Sequence, residues 1–66
     1  MQIYINSKPL KISPNTTLFE VLQKQKCNLD KIAVEIDKNI IPKSLWKEQI
    51  LQDQNKIEIV EFVAGG

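Results

Sequence analysis

The sequence has no histidine, no arginine and only one cysteine. Without histidine the commonest general base is missing. So are the Ser-His and Cys-His nucleophile pairs and most zinc sites. The lone Cys27 can form neither an internal disulfide nor a cysteine cluster around a metal, so no metal site is expected. Nine lysines against eight Asp and Glu leave a net charge of +1, with the charges interspersed. A nucleic-acid binder would show a one-sided basic stripe and arginines for bidentate contacts, so nucleic acid is not an expected partner. No apolar run exceeds three residues, far short of the about 20 needed to span a membrane. The opening Met1-Gln2-Ile3-Tyr4-Ile5 has neither a basic n-region nor a small-residue cleavage site. The expectation is a soluble protein of a reducing compartment: the cytoplasm, or a plastid stroma if the gene is plastid-borne. Such an inventory of side chains does not suit an enzyme. Chemistry, if present, must use the backbone or a partner.

What remains is a chain of 66 residues, 42% hydrophobic and 26% charged, the balance of a soluble globular domain. The length allows one domain over 1–66. A domain of this size buries only about 60% of its unfolded surface, so every apolar face must be used. Met1, Ile3 and Ile5 alternate with polar or amphipathic neighbours, as in a half-buried strand. Asn6-Ser7-Lys8-Pro9 has turn chemistry, and Leu10-Lys11-Ile12 resumes the alternation, so the chain opens with a hairpin. Thr17-Leu18-Phe19-Glu20 matches a capping box, and Leu18, Val21 and Leu22 recur at helical spacing. A helix of about ten residues from Leu18 is expected.

Cys27 to Lys31 reads as a connection, and Ile32, Val34 and Ile36 mark a third strand. Asn39-Ile40-Ile41 reads as a brief edge strand ending at Pro42. Ser44 to Leu51 has mixed spacing compatible with one helical turn, with Trp46 sealing one end of the sheet as a satellite of the core. Asp53-Gln54-Asn55 is a turn with Asn55 the expected left-handed residue. Lys56 to Val63 is the last strand, with Ile57 and Ile59 on one face and Val60 and Phe62 on the other. The first and last strands carry clear strand signals and are expected to be the longest. The order β-β-α-β-β-β, with these two strands parallel at the centre and the helix across one face, is an α+β β-grasp fold: a mixed sheet of about four to five strands with one helix.

The closing Gly65-Gly66 is the most informative feature. Glycines lack a Cβ, so the thread can enter a narrow slot, and a strand directly precedes it. Ala64 to Gly66 reaches at most roughly 10 Å when extended. This flexible tail, 64–66, would carry the Gly66 carboxylate into another protein's active site. A carboxylate is a poor electrophile and must first be activated, most simply as an acyl adenylate. With no phosphate-cradling loop in the chain, a partner must bind the ATP. Val60 and Phe62, close to the tail, are expected to form an apolar docking patch that orients it. Cys27 lies past the expected helix C-terminus, with no imidazole to generate a thiolate, and reads as structural. Glu35 and Asp37 share one strand face, which suggests solvent contact rather than metal binding.

These features together resemble a known family. Met1-Gln2-Ile3, Thr17 to Leu22, Ile36 to Asn39 followed by Ile40-Ile41-Pro42-Lys43 and Trp46, and Val63-Ala64-Gly65-Gly66 are similar to the sulfur carriers of thiamine (thiazole) biosynthesis, a ubiquitin-like family, over essentially the whole chain. The family commonly has Asp-Gly-Asp before the last strand, where this chain has Asp53-Gln54-Asn55. The resemblance implies a carrier that is a co-substrate of its partners and binds no cofactor itself. A ubiquitin-activating-type adenylyltransferase would adenylate Gly66 with Mg-ATP. A persulfide from a cysteine desulfurase or rhodanese-type donor would displace AMP. The thiocarboxylate would then pass sulfur to thiazole synthase. Gly65 and Ala64 would thread, and Val60 and Phe62 would dock. Two alternatives share the Gly-Gly end: the small subunit of molybdopterin synthase, whose chains are usually longer, and a ubiquitin-like protein modifier.

Overall fold

A computed structural model describes residues 1–62. Residues 63–66, including the expected flexible tail over 64–66, lie outside the described residues. The chain opens with β1 (Gln2–Ile5) and β2 (Lys8–Lys11), joined by Asn6 and Ser7 at φ 48° and 72°. Positive φ at both central residues is the pattern of a type I′ hairpin turn, whose twist suits the flanking strands. β2 therefore starts earlier than expected and includes Pro9, opposite Tyr4. Ile5 and Lys8 flank the turn as a hydrogen-bonded pair, so the next pair, Tyr4 and Pro9, exchanges no ladder bonds. The missing N–H of Pro9 faces the open edge, where it costs nothing.

Helix α1 spans Leu18–Lys24 and begins with the expected capping box. The Glu20 amide donates to Thr17 Oγ1 (3.2 Å), and the Thr17 amide donates to Glu20 Oε1 (3.2 Å). With seven residues the helix is shorter than expected. Its end is set by Lys26, which takes φ 56° just after the C-cap Gln25, at a position that glycine usually fills. Cys27 then folds back, its thiol donating to the Leu22 carbonyl (3.6 Å). The connection holds a short 3-10 turn at Leu29–Lys31, whose side-chain cap is Asn28.

β3 (Ile32–Ile36) and β4 (Asn39–Ile40) form a second hairpin across Asp37 and Lys38, at φ 49° and 71°. Another 3-10 turn, Lys43–Leu45, follows Pro42. The returning chain then meets the helix entrance, where Leu18 N–H donates to Gln49 O (2.8 Å) and Leu51 N–H to Thr16 O (2.9 Å). The turn before the last strand uses Gln54, not Asn55, as its left-handed residue (φ 70°). Asn55 is otherwise engaged. Its Oδ1 accepts from Gln52 N–H (2.6 Å), its Nδ2 donates to Asp37 Oδ2 (2.9 Å), and its carbonyl accepts from Tyr4 N–H (2.9 Å). The turn thus has a backbone conformation that glycine would adopt freely, without having a glycine.

β5 (Lys56–Glu61) closes the sheet, whose order is β2-β1-β5-β3-β4. β5 pairs parallel with β1 and antiparallel with β3, the expected β-grasp topology, with β4 on an edge. β5, with six residues, is the longest strand, but β3 with five exceeds β1 with four, against expectation. The core lies between the sheet and α1. Ile3, Ile5, Val34, Ile36 and Ile57 project from the strands to meet Leu18, Val21 and Leu22. Trp46 belongs to this same cluster at 2% exposure and is not a satellite. Its indole N–H donates to the Ile41 carbonyl (2.9 Å), and its own carbonyl accepts from Phe19 N–H (3.0 Å).

Among the described residues seven non-glycine residues take positive φ, and both glycines of the chain lie at 65 and 66. Asn6, Asn15 and Asp37 tolerate this region; an ordinary side chain such as that of Gln54 costs roughly 1–2 kcal/mol there. Glycine would remove that cost, offset by about 0.4–1 kcal/mol from the greater freedom of the unfolded chain. The Gln54 side chain is exposed and makes only a 3.5 Å contact with Asp53. Gln54→Gly is therefore expected to stabilise the protein by about 0.5–1 kcal/mol, raising Tm by about 2–8 °C. Thermal unfolding followed by circular dichroism checks this, and an unchanged or lower Tm contradicts it.

Candidate functional site

Residues alternate along β5, and the two sets have opposite fates. Ile57 is buried and Ile59 half-buried on the side of the helix, while Lys56, Glu58 and Val60 are exposed on the other side. The chain continues this pattern past the strand, and Phe62 is also exposed. Val60 is 53% and Phe62 57% exposed, which places both expected docking residues on the solvent face. Both belong to the last stretch of backbone before residues 63–66. Val60 stands opposite Ala33 on β3, and the Phe62 N–H donates to Lys31 O (2.7 Å). Backbone pairing thus holds the chain in place up to Phe62, the last described residue. The expected threading and reacting residues, Ala64, Gly65 and Gly66, lie outside the described residues.

Charges of both signs share this face, Lys56 with Glu35 and Glu58. Glu35 on β3 and Glu58 on β5 face each other directly in the antiparallel register. Like charges in such a pair are unfavourable. Glu61 is also exposed, but alternation puts it on the opposite face of the strand from Val60. Asp37 has a different role from Glu35: its carboxylate accepts from Lys56 N–H (3.1 Å) and from Asn55, so it fixes the start of β5. Among the described residues the one ion pair is Lys43 with Asp30, both exposed, which ties the two 3-10 turns together. The hydrogen bond from Lys43, reinforced by its charge, holds the Asp30 carboxyl below its ordinary value. No three acidic or cysteine side chains converge on one point among the described residues.

An open groove of about 710 Å³ runs between β2 and the helix, past Leu10, Pro14, Val21 and Lys24. Glu20 on its wall is engaged in the capping box, and neither Val60 nor Phe62 borders it. Cys27 is half-buried against the core. The sequence treats Asn6 only as part of a turn. In the structure its side chain reaches β5, accepting from Ile59 N–H (2.8 Å) and donating to Ile59 O (3.4 Å). No local signal announces this contact, because its partners lie 53 residues apart.

Comparison with known proteins agrees with this geometry. The model of the ThiS family matches residues 3–66. An uncharacterised protein, ycf40, of Porphyra purpurea is 33% identical over 66 residues, covering all of this chain and 93% of its own length. The sulfur carrier protein ThiS of Escherichia coli K12 is 29% identical, with both chains covered in full. A thiazole synthase of Magnetococcus marinus is 32% identical over the whole of this chain, which spans 20% of that protein. The crystal structure of the thiamine biosynthesis protein ThiS from Geobacter metallireducens superposes with a TM-score of 0.85 over the full length of both chains, at 19% identity, and shows the same β-grasp fold. With a match that runs through the Gly-Gly end and a fold shared over its whole length, the chain belongs to the ThiS family.

Proposed function

We propose that the protein is a sulfur carrier of thiamine biosynthesis, working through the carboxylate of Gly66, and that it is a co-substrate rather than an enzyme. One observation carries this reading. The family match includes Gly65 and Gly66, and these follow a strand whose outer face exposes Val60 and Phe62. A globule of 66 residues has little apolar surface to spare. Two large exposed apolar side chains at the root of a glycine tail suit a partner that covers them while the tail enters its active site.

The chemistry then belongs to the partners. A ubiquitin-activating-type adenylyltransferase uses Mg-ATP to join a Gly66 carboxylate oxygen to the α-phosphorus, releasing pyrophosphate. The terminal sulfur of a persulfide, on a cysteine desulfurase or rhodanese-type donor, attacks the activated carbonyl. A C–S bond forms and AMP leaves. A second thiol cleaves the resulting acyl disulfide at its S–S bond, leaving the Gly66 thiocarboxylate and a disulfide. Thiazole synthase is the proposed acceptor. In its support, the thiazole synthase of Magnetococcus marinus carries a stretch similar to this entire chain. Components joined in one polypeptide commonly act on each other.

Deleting Gly66, or appending one residue after it, is expected to abolish carrier-dependent ATP–pyrophosphate exchange with the cognate adenylating enzyme. Melting of the globule should stay unchanged. Normal exchange by the truncated protein overturns the reading. Mass spectrometry of the protein isolated from cells separates the classes: a sulfur-for-oxygen increase at Gly66 marks a carrier, and isopeptide conjugates mark a modifier.

Val60→Asp combined with Phe62→Asp is expected to weaken binding of the adenylating enzyme by about 2–4 kcal/mol, since unpaired carboxylates would be buried in an apolar contact. Because both side chains are more than half exposed in the free protein, Tm should change by only a few degrees. Calorimetric titration and thermal melts read the two effects separately.

Cys27→Ser is expected to acquire sulfur at Gly66 as the unaltered protein does when given adenylating enzyme, ATP and a sulfur donor. The thiol is already directed at the Leu22 carbonyl and packed against the core. A variant that is adenylated normally but never gains sulfur would give Cys27 a role in the relay.

A further inference from the structure

We infer that Asn6 is a positioning residue for the docking end of β5, its side-chain amide standing in for the β1 backbone beside Ile59. The role rests on the carrier reading, because what it positions is the proposed docking patch.

The parallel ladder between β1 and β5 shows what the side chain replaces. Tyr4 stands opposite Lys56 and Ile5 opposite Ile57. Tyr4 N–H donates to Asn55 O (2.9 Å), and Asn6 N–H donates to Ile57 O (2.9 Å). Continued by one step, a parallel ladder would have the Asn6 carbonyl accept from Ile59 N–H, and the amide two residues further along donate to Ile59 O. At Asn6, however, the backbone takes φ 48° and turns away into the hairpin. The Asn6 side chain supplies both missing partners. Oδ1 accepts from Ile59 N–H at 2.8 Å, and Nδ2 donates to Ile59 O at 3.4 Å.

Asparagine is fitted to this position on two counts. It tolerates the left-handed region that the first residue of the turn requires. It also carries a donor and an acceptor on one short side chain. Glycine has only the first property, and aspartate has the first with an acceptor alone. Without the amide, this end of β5 would be held from one side, by Ala33 opposite Val60 and by Lys31 O. Val60 and Phe62 would then sample more orientations, and a partner would have to order them on binding. The loss should appear in carrier affinity and leave the turnover of the docked complex alone.

The test uses the full chain ending at Gly66. Amide hydrogen exchange at Ile59 is read by NMR in the free protein, and ATP–pyrophosphate exchange is followed as a function of carrier concentration. Asn6→Gly keeps the turn and removes both bonds. Its Ile59 amide should exchange at least about tenfold faster, and its KM for the adenylating enzyme should rise about tenfold with kcat within about twofold. Asn6→Asp keeps the shorter bond and should restore KM to within about threefold of the unaltered protein. If Asn6→Gly does not fold, Asn6→Asp carries the test alone, with Ile59 exchange and KM both raised by smaller factors. In either variant, accelerated Ile59 exchange with an unchanged KM overturns the positioning role while leaving the carrier reading intact. Failure of the unaltered protein to support any exchange overturns the carrier reading, and the positioning role falls with it.

Discussion

β5 is hydrogen-bonded to a neighbour on each side, and most other features of the molecule can be referred to it. Its partner β1 lies at the opposite end of the sequence. Closing contacts between residues 51 and 53 positions apart, such as Gln2 with Asp53 and Asn6 with Ile59, costs more chain entropy than any hairpin does. The structure repays this with bonds that extend beyond the strand itself. Gln2 N–H donates to Asp53 Oδ1 and Gln54 N–H to Gln2 O, so the β1 edge is engaged before β5 begins. Asn6 and Asp37 occupy equivalent places, each the first residue of a left-handed hairpin turn. The side chain of each reaches over to β5: Asp37 holds its start and Asn6 the region of Ile59. Two turns that look merely local therefore clamp the central strand at both ends.

The same strand separates the two faces of the protein. Its inward residues join a core in which α1, Trp46 and Leu51 complete the cover, and the described residues contain no buried polar side-chain atom without a partner. Its outward residues end in Val60, and Phe62 continues the same exposed face just past the strand. In a domain this small, leaving both exposed forgoes stabilisation that burial would supply, on the order of 1.5–3 kcal/mol for each large apolar side chain. A carrier of the kind proposed can accommodate that arrangement, since a docking partner would cover the surface. On the proposed reading the chemistry belongs to the partners. That is consistent with a chain lacking histidine, in which Glu20 is occupied in a helix cap, Asp53 in a turn and Asp37 at a strand start.

Much of this was legible in the sequence, and the legible part has a common character. The capping box needs only residues three apart. The alternation of Ile32, Val34 and Ile36 is strictly local, and Asn6-Ser7 and Asp37-Lys38 have turn chemistry wherever they occur. Less local properties were harder to read. The helix stops early because Lys26 adopts a left-handed conformation without glycine to announce it. Gln54 rather than Asn55 takes the left-handed position because Asn55 is drawn into contacts with Asp37 and Tyr4, neither of them near it in sequence. Pro9 falls within a strand because the hairpin register gives it a position that needs no ladder donor.

The candidate site divides along the same line. By itself the sequence determined the elements and their order, the parity that separates Val60 and Phe62 from Ile57 and Ile59, and the glycines that follow. All of these depend on residue type and on spacing within a few positions. Only the tertiary structure decided which face of β5 the helix would cover, and so which pair would be left in solvent. It alone also decided that Asn6 would complete the ladder at Ile59. Those outcomes depend on packing and pairing between segments that meet only when the chain closes on itself, and no local pattern encodes a contact across 53 residues.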